Sequence, residues 1–165
     1  MPEDLPIEIV KRFASRGAPV DVERLAFELG LNVHRDASLG PEISGKIVKA
    51  APTFGGSAGY AIIVNYTHPR GRQRFTVAHE IAHFVLHRDL IGDGVVDDEQ
   101  YRSKQLNQWY ETQANRLAAD ILLPADLVRE AHTVDTIKSL GGLATRFDVS
   151  VDAIRIRLRE LNLAP

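Results

Sequence analysis

The segment His-Glu-Ile-Ala-His at residues 79–83 places two imidazoles and a carboxylate at a spacing that suits metal chemistry. Residues four apart lie on one face of a helix, so His79 and His83 can converge on a single ion. Glu80 lies at the edge of that face, where its carboxylate can act as a general base towards water without binding the ion. The pattern predicts a zinc-dependent endopeptidase, although His and carboxylate ligands would also accept manganese.

The residues around this segment are largely apolar, which predicts a buried helix. Seven apolar residues lie within the motif or beside it: Phe75, Val77, Ala78, Ile81, Ala82, Val85 and Leu86. Unpaired imidazoles are costly in such a helix unless they share a partner such as a metal ion. The alternative is that His79 and His83 form ordinary hydrogen bonds in the core or lie on a solvated face. His87, one turn further on, could support the site or lie at its rim, but a histidine near a helix C-terminus is more often a cap.

A third ligand must come from elsewhere, because a catalytic zinc site usually has three protein ligands and one open position. The chain has no cysteine, so thiolate ligands are excluded. The next helical pattern carries Glu111, with Asn115 one turn beyond it on the same face. A lone glutamate in a helix is usually solvated, so spacing alone leaves Glu111 open as the third ligand. Asn115 could support Glu111 through a hydrogen bond, or could only pack between helices.

Two segments together resemble the ImmA/IrrE family of bacterial metallo-endopeptidases. The first is residues 72–87, RQRFTVAHEIAHFVLH, and the second is residues 111–124, ETQANRLAADILLP. The family pairs an RxRFTxAHExxH helix with an ExxANxFAxxLLxP helix, and Leu117 here replaces the commoner phenylalanine. The resemblance implies that Glu111 is the third metal ligand. It also implies that the substrate is a helix-turn-helix repressor, whose cleavage releases genes of a stress response or a mobile element.

Two parts of the mechanism stay open. The oxyanion of the hydrolysis needs a further hydrogen-bond donor, for which Tyr66, Tyr110, His87 and the arginines are candidates. The substrate is expected to bind in an extended form. Residues 60–66 could be an exposed edge strand to which the substrate adds, or an ordinary core strand.

The elements that position these residues follow from hydrophobic periodicity and turn signals. Two helices are expected first, one over residues 5–16 and one capped by Asp21 and ending at Gly30. Three strands follow, over residues 31–34, 45–49 and 60–66. Two long helices come next, over residues 72–87 and from the acidic run at 97–99 to Leu122, and short helices follow from Asp126 onwards. Helices, a small sheet and then more helices make an α+β fold. The family resemblance implies a zincin-like core built on the motif helix and the glutamate-bearing helix.

Residues 143–161 resemble a helix-turn-helix, in which Ser150 can cap the second helix. Arg155 and Arg159 would share an outer face, with Arg157 to one side. These arginines could contact DNA phosphates, or could form a solvated face on a structural helical pair. We therefore expect a metallopeptidase domain over residues 1–134 and a helix-turn-helix-like segment over residues 135–165 packed on it.

The bulk properties narrow the alternatives. A chain of 165 residues with a net charge of -2 lacks the basic excess of a dedicated nucleic-acid binder. The N-terminal stretch lacks the pattern of a secretory signal and no stretch is long enough to span a membrane, so a cytoplasmic location without membrane partners is expected. Two rival functions are a DNA-binding transcriptional regulator with a structural metal site, and a non-proteolytic partner in a toxin–antitoxin pair.

Overall fold

The computed structural model of the protein describes residues 5–91 and 104–163. The helices are α1 (Pro6–Ala14), α2 (Val22–Glu28), α3 (Pro52–Gly55), α4 (Arg70–Leu86), α5 (Lys104–Leu122), α6 (Ala125–Thr133), α7 (Leu140–Phe147) and α8 (Val151–Glu160). The strands are β1 (Leu31–Asp36), β2 (Gly45–Lys49) and β3 (Tyr60–Asn65). The expected α+β order is confirmed. The short helix α3 was not expected, and the acidic run at 97–99 lies outside the described residues.

Local capping explains several helix boundaries. The side chain of Asp21 accepts a hydrogen bond from the backbone N–H of Arg24 at 3.0 Å, which satisfies a free donor at the start of α2. Ser150 does the same for α8, through the backbone N–H of Ala153 at 3.1 Å. Both caps agree with the sequence-based expectation. Helix α5 ends just before Pro124, as expected from the poor fit of proline within a helix.

The sheet has the strand order β1-β3-β2, with β3 parallel to β1 and antiparallel to β2. Strand β3 is therefore central, and its backbone groups form hydrogen bonds with a neighbouring strand on each side. The interpretation of residues 60–66 as an exposed edge strand is wrong for this reason. Within residues 5–91 and 104–163, β2 is the edge strand that packs beside α4, and its outer edge has no strand partner.

Helix α4 packs against the sheet and against α5, which places the 79–83 motif between them. The approach to β2 is close at Gly45, where a Cβ atom would lie 2.6 Å from the γ-methyl carbon of Thr76. Buried residues from α4, α5, α7 and α8 join in one hydrophobic core, including Ile81, Ile121 and Phe147. No helix in the described parts of the chain is long and apolar enough to cross a membrane.

The C-terminal helices contact the rest of the chain through charged groups as well as through the core. The Arg157 guanidinium, with a side chain 8% exposed, donates to the Leu123 carbonyl at 2.9 Å and pairs with Asp120 at 2.7 Å. The expectation that Arg157 could contact phosphates beside Arg155 and Arg159 is therefore wrong, because its charge is used inside the protein. The other two arginines are exposed, as expected.

Candidate metal centre

Three side chains from two helices converge at one point. His79 Nε2 lies 3.0 Å from Glu111 Oε2, and His83 Nε2 lies 3.1 Å from Glu111 Oε1. The two Nε2 atoms are 3.1 Å apart. Helix α4 supplies both histidines one turn apart, and α5 supplies the carboxylate across the helix–helix contact. In the parts of the chain that the structure describes, these residues form the cluster able to hold a metal ion.

The cluster fits a divalent metal on geometric grounds. Zinc ligands about 2.0–2.1 Å from a tetrahedral ion lie about 3.3 Å from one another. The three observed separations are close to that value. Both imidazoles, when neutral and protonated at Nδ1, can offer an Nε2 lone pair to one cation. A metal held by these three residues would keep one coordination position without a protein ligand, as catalytic zinc sites do.

The electrostatics keep Glu111 in the form that binds a cation. Hydrogen bonds from His79 and His83 hold the pKa of the Glu111 carboxyl well below its usual range, and these effects exceed the opposing effect of burial. Burial lowers the pKa of His79, but the hydrogen bond to Glu111 and the charges of Glu80 and Glu111 raise it overall. An ionised carboxylate facing two imidazoles is therefore built into the fold.

Glu80 lies beside the cluster and is 8% exposed. Burial raises the pKa of the Glu80 carboxyl, although the charges of His79 and His83 oppose the shift. A carboxylate that gains basicity in this way is suited to accept a proton near neutral pH. Its side chain lines the same cavity as the three clustered residues.

A cavity of about 690 Å³ opens over the cluster. Residues 44–47, at the start of β2, form one wall, and Tyr110 and Arg72 also line the cavity. Among the oxyanion candidates, Tyr110, Arg72 and His87 therefore lie at the site. Tyr66 is 60% exposed and is not among the residues that line this cavity.

Asn115 also lines the cavity, where it is exposed rather than packed between helices. A side-chain hydrogen bond with Asn115 is the smallest of the effects that raise the pKa of His79. The expectation that Asn115 supports Glu111 stays a prediction, since the observed interaction lies on another member of the cluster.

His87 ends α4 and turns its ring back towards the cluster. Its Nδ1 lies 2.9 Å from His83 Nδ1, and its Nε2 lies 2.8 Å from the Gln113 side-chain oxygen. Burial lowers the pKa of His87, with the hydrogen bond to Gln113 opposing the shift. Sequence reasoning did not identify Gln113. Its place beside His87 depends on how α4 crosses α5, and residue spacing carries no signal for that crossing.

Comparison with known proteins extends these observations. The family model of the IrrE N-terminal-like domain, Peptidase_M78, matches residues 23–159. The radiation response metalloprotease IrrE of Deinococcus deserti is 36% identical over 110 residues, which cover 64% of this chain and 38% of the relative. The protein of the same name from Deinococcus radiodurans is 35% identical over 108 residues, covering 63% of this chain and 32% of the relative. This chain thus matches less than half the length of these relatives.

A solved structure described as a Mycobacterium tuberculosis transcriptional regulator has a similar fold. Its TM-score is 0.60 at 22% identity, over 94% of this chain and 47% of that chain. The small sheet, the motif helix α4 and the glutamate-bearing helix α5 make the zincin-like arrangement that the two sequence segments imply. Because the family match spans the sheet and both helices of the cluster, this chain belongs to the Peptidase_M78 family of IrrE N-terminal-like domains, and the resemblance to ImmA/IrrE metallo-endopeptidases is confirmed.

Proposed function

We propose that the chain is a zinc-dependent endopeptidase in which His79, His83 and Glu111 hold the metal and Glu80 is the general base. The observation that carries the proposal is the convergence of three ligand atoms within one open cavity, with Glu80 beside them. The two Deinococcus relatives are named metalloproteases, which supports the same chemistry. Manganese is the alternative metal, because nitrogen and carboxylate ligands accept both ions.

The bound ion supplies Lewis-acid chemistry, which polarises a carbonyl group and makes water more acidic. Glu80 accepts a proton from the attacking water and delivers it to the leaving amine, so that one peptide bond and one water yield a carboxyl group and an amine. Tyr110 and Arg72 line the cavity and are the candidates to donate a hydrogen bond to the oxyanion.

The free edge of β2 is suited to hold an extended substrate beside the cluster. The Asn65 N–H donates to the Ser44 carbonyl at 2.8 Å, so that this pair is hydrogen-bonded. Hydrogen-bonded residues alternate along an antiparallel strand, and the backbone groups of Gly45 and Ile47 therefore point away from β3. A substrate strand can pair with these groups, and the same residues line the cavity.

The substrate that we propose is a helix-turn-helix repressor, cleaved to release genes of a stress response or a mobile element. The support is the family resemblance, together with the words "radiation response" in the names of both relatives. The rival DNA-binding function is weaker, because Arg157 is engaged within the protein and only Arg155 and Arg159 remain on the outer face of α8.

The test compares wild type with Glu80→Gln, each loaded with zinc or manganese and incubated with the repressor encoded nearest in the genome. Mass spectrometry of the repressor should show metal-dependent fragments with wild type. Glu80→Gln should bind metal with nearly unchanged affinity but cleave at least about 100-fold more slowly, because the proton acceptor is lost. Glu130→Gln, which changes an exposed glutamate on α6, is the matched control and should cleave like wild type. Cleavage by Glu80→Gln at the wild-type rate would remove Glu80 from the mechanism.

A further inference from the structure

A chain of hydrogen bonds leads away from the metal cluster through three side chains. His83 Nδ1 and His87 Nδ1 are 2.9 Å apart, and His87 Nε2 is 2.8 Å from the side-chain oxygen of Gln113. His87 is 7% exposed, so water has little access to compete for its ring nitrogens. The two contacts therefore act as direct hydrogen bonds within the protein.

The chemistry of the three side chains allows one direction of donation along this series of hydrogen bonds, from His83 through His87 to Gln113. A neutral imidazole carries one proton, on either Nδ1 or Nε2. His83 Nε2 faces His79 and Glu111, and in the proposed metal-bound form it would give its lone pair to the metal, so that the His83 proton belongs on Nδ1. His87 Nδ1 must then accept, which places the His87 proton on Nε2. That proton is donated to the Gln113 carbonyl oxygen, which can only accept.

We propose that His87 and Gln113 are positioning residues, which hold the ring and the tautomer of His83 in the form that binds the metal. The inference rests on the proposed metal site and adds two residues that act through His83. Gln113 sets the direction of donation in the series of hydrogen bonds, because its oxygen requires a donor at His87 Nε2. Hydrogen-bonded partners of this kind orient metal-binding histidines and raise their basicity.

The two histidines of the cluster differ in the hydrogen bonding of their Nδ1 atoms. The described residues offer no hydrogen-bond partner to the buried Nδ1 of His79. Helix α5 thus provides the ligand Glu111 and, two residues later, the group that orients His83 through His87. The packing of α5 on α4 fixes both at once, so that His83 is in place before a metal arrives.

The variant that tests the inference is Gln113→Met, which removes the acceptor oxygen at nearly constant length. Gln113→Glu keeps an acceptor at the same place, and Gln108→Met makes the same exchange at an exposed position of the same helix. Zinc affinity is measured by competition with a chelator. Gln113→Met should bind zinc about 10–100-fold more weakly, whereas Gln113→Glu and Gln108→Met should stay within about threefold of wild type.

A second readout reports the tautomers directly and does not depend on activity. Two-bond ¹H–¹⁵N NMR spectra of the zinc-loaded wild type should show His83 protonated at Nδ1 and His87 protonated at Nε2. In Gln113→Met the His87 signals should shift towards the other tautomer. A role of Gln113 in packing alone would leave the tautomer of His87 unchanged.

The outcomes separate this inference from the proposed function. Zinc affinity that is unchanged in Gln113→Met, or a His87 ring protonated at Nδ1 in the zinc-loaded wild type, would overturn the inference and leave the metal site standing. Failure of wild type itself to bind zinc through His79 and His83 would instead overturn the metal site. If Gln113→Met fails to fold, judged by circular dichroism, the tautomer of His87 in the wild type decides the matter.

Discussion

Arg157 is a buried arginine, whereas most arginines in proteins are exposed to solvent. Its side chain is 8% exposed, and its guanidinium bonds to Asp120, to Glu160 and to the Leu123 carbonyl. The two acidic partners are each about half exposed, so they regain water if the arginine is removed. The cost of losing Arg157 therefore comes mainly from the lost packing of its stem and from the carbonyl left without a donor.

We expect Arg157→Ala to lower the free energy of unfolding by about 1–3 kcal/mol, measured by urea denaturation. Arg155→Ala removes an arginine that is about half exposed two residues away, and should change stability by no more than about 0.5 kcal/mol. Equal effects of the two substitutions would mean that the buried contacts of Arg157 contribute nothing specific.

Only those residues of the candidate site that lie close together in the sequence could be predicted from residue spacing. His79, Glu80 and His83 lie within five residues of one helix, so helical geometry alone places them together. Spacing left Glu111 open, and the family resemblance was needed to select it, because its position depends on the contact between α4 and α5. Gln113 carried no signal for the same reason: a glutamine in a helix becomes a partner of His87 only after the two helices have packed.

Helix α4 can approach β2 closely because residue 45 is glycine. A Cβ atom there would lie 2.5 Å from the Ile63 carbonyl oxygen and 2.6 Å from the Thr76 γ-methyl carbon. The first of these neighbours is backbone of the central strand, which cannot move without disturbing the sheet. Gly45 thereby sets the distance between the proposed substrate edge and the helix that bears the metal ligands.

We expect Gly45→Ala to destabilise the fold by about 1–3 kcal/mol through overpacking, and to reduce repressor cleavage in the protein that remains folded. Thermal unfolding and the cleavage assay provide the two measurements. Gly141→Ala is the matched control, because a Cβ atom at Gly141 in α7 meets nothing within 4 Å. That substitution should be neutral or stabilising by up to about 1 kcal/mol. A stable and fully active Gly45→Ala protein would show that the close approach has no role.

The strands themselves were predictable, but their order was not. Residues 60–66 are rich in β-branched and aromatic side chains, which indicates a strand without saying whether one or both edges are paired. Strand β3 becomes central because β1 joins it in parallel and β2 joins it antiparallel, and those pairings depend on the path of the chain between the strands. Helix α3, with four residues, is too short for periodicity to reveal.

The turn between α7 and α8 is tied to α4 by Asp148. The hydrogen bond from Arg70, at 2.9 Å, is the largest effect on Asp148 and holds the pKa of its carboxyl below the ordinary value. Burial opposes this shift, and the charges of Arg74 and Arg70 add to it. A carboxyl whose pKa is lowered in the folded state adds stability above its unfolded pKa of 3.8, and this stability is lost as the pH falls through the lower folded value.

We expect Asp148→Asn to lower the free energy of unfolding by about 0.5–1 kcal/mol at pH 7, because the interaction is partly screened by solvent. Asparagine tolerates the left-handed backbone at this position, where φ is 53°, so the substitution tests the charge alone. The difference from wild type should shrink as the pH is lowered below 3.8. Urea denaturation across this pH range, with the exposed Asp89→Asn as control, measures the effect. A difference that does not depend on pH would assign it to something other than the carboxylate.

The C-terminal helices and the metal-bearing helices share one hydrophobic core. Phe147, Ile154 and Leu158 are buried together with residues of α4 and α5. Charged contacts join the same parts, through Arg157 to α5 and through Asp148 to α4. A boundary near residue 134 stays a prediction, but it would divide a single core and not two separate ones.

A shared core has a consequence for how the protein opens. Segments that pack in one core usually unfold together, whereas a loosely attached segment opens at lower free energy. We therefore expect the slowest-exchanging backbone amides of α7 and α8 to give the same free energy of opening as those of α4 in native-state hydrogen exchange. In Arg157→Ala all three helices should lose the same amount of stability. A lower free energy of opening confined to α7 and α8 would instead show that residues 135–163 form a unit that detaches on its own, and it would locate the boundary that the sequence suggested.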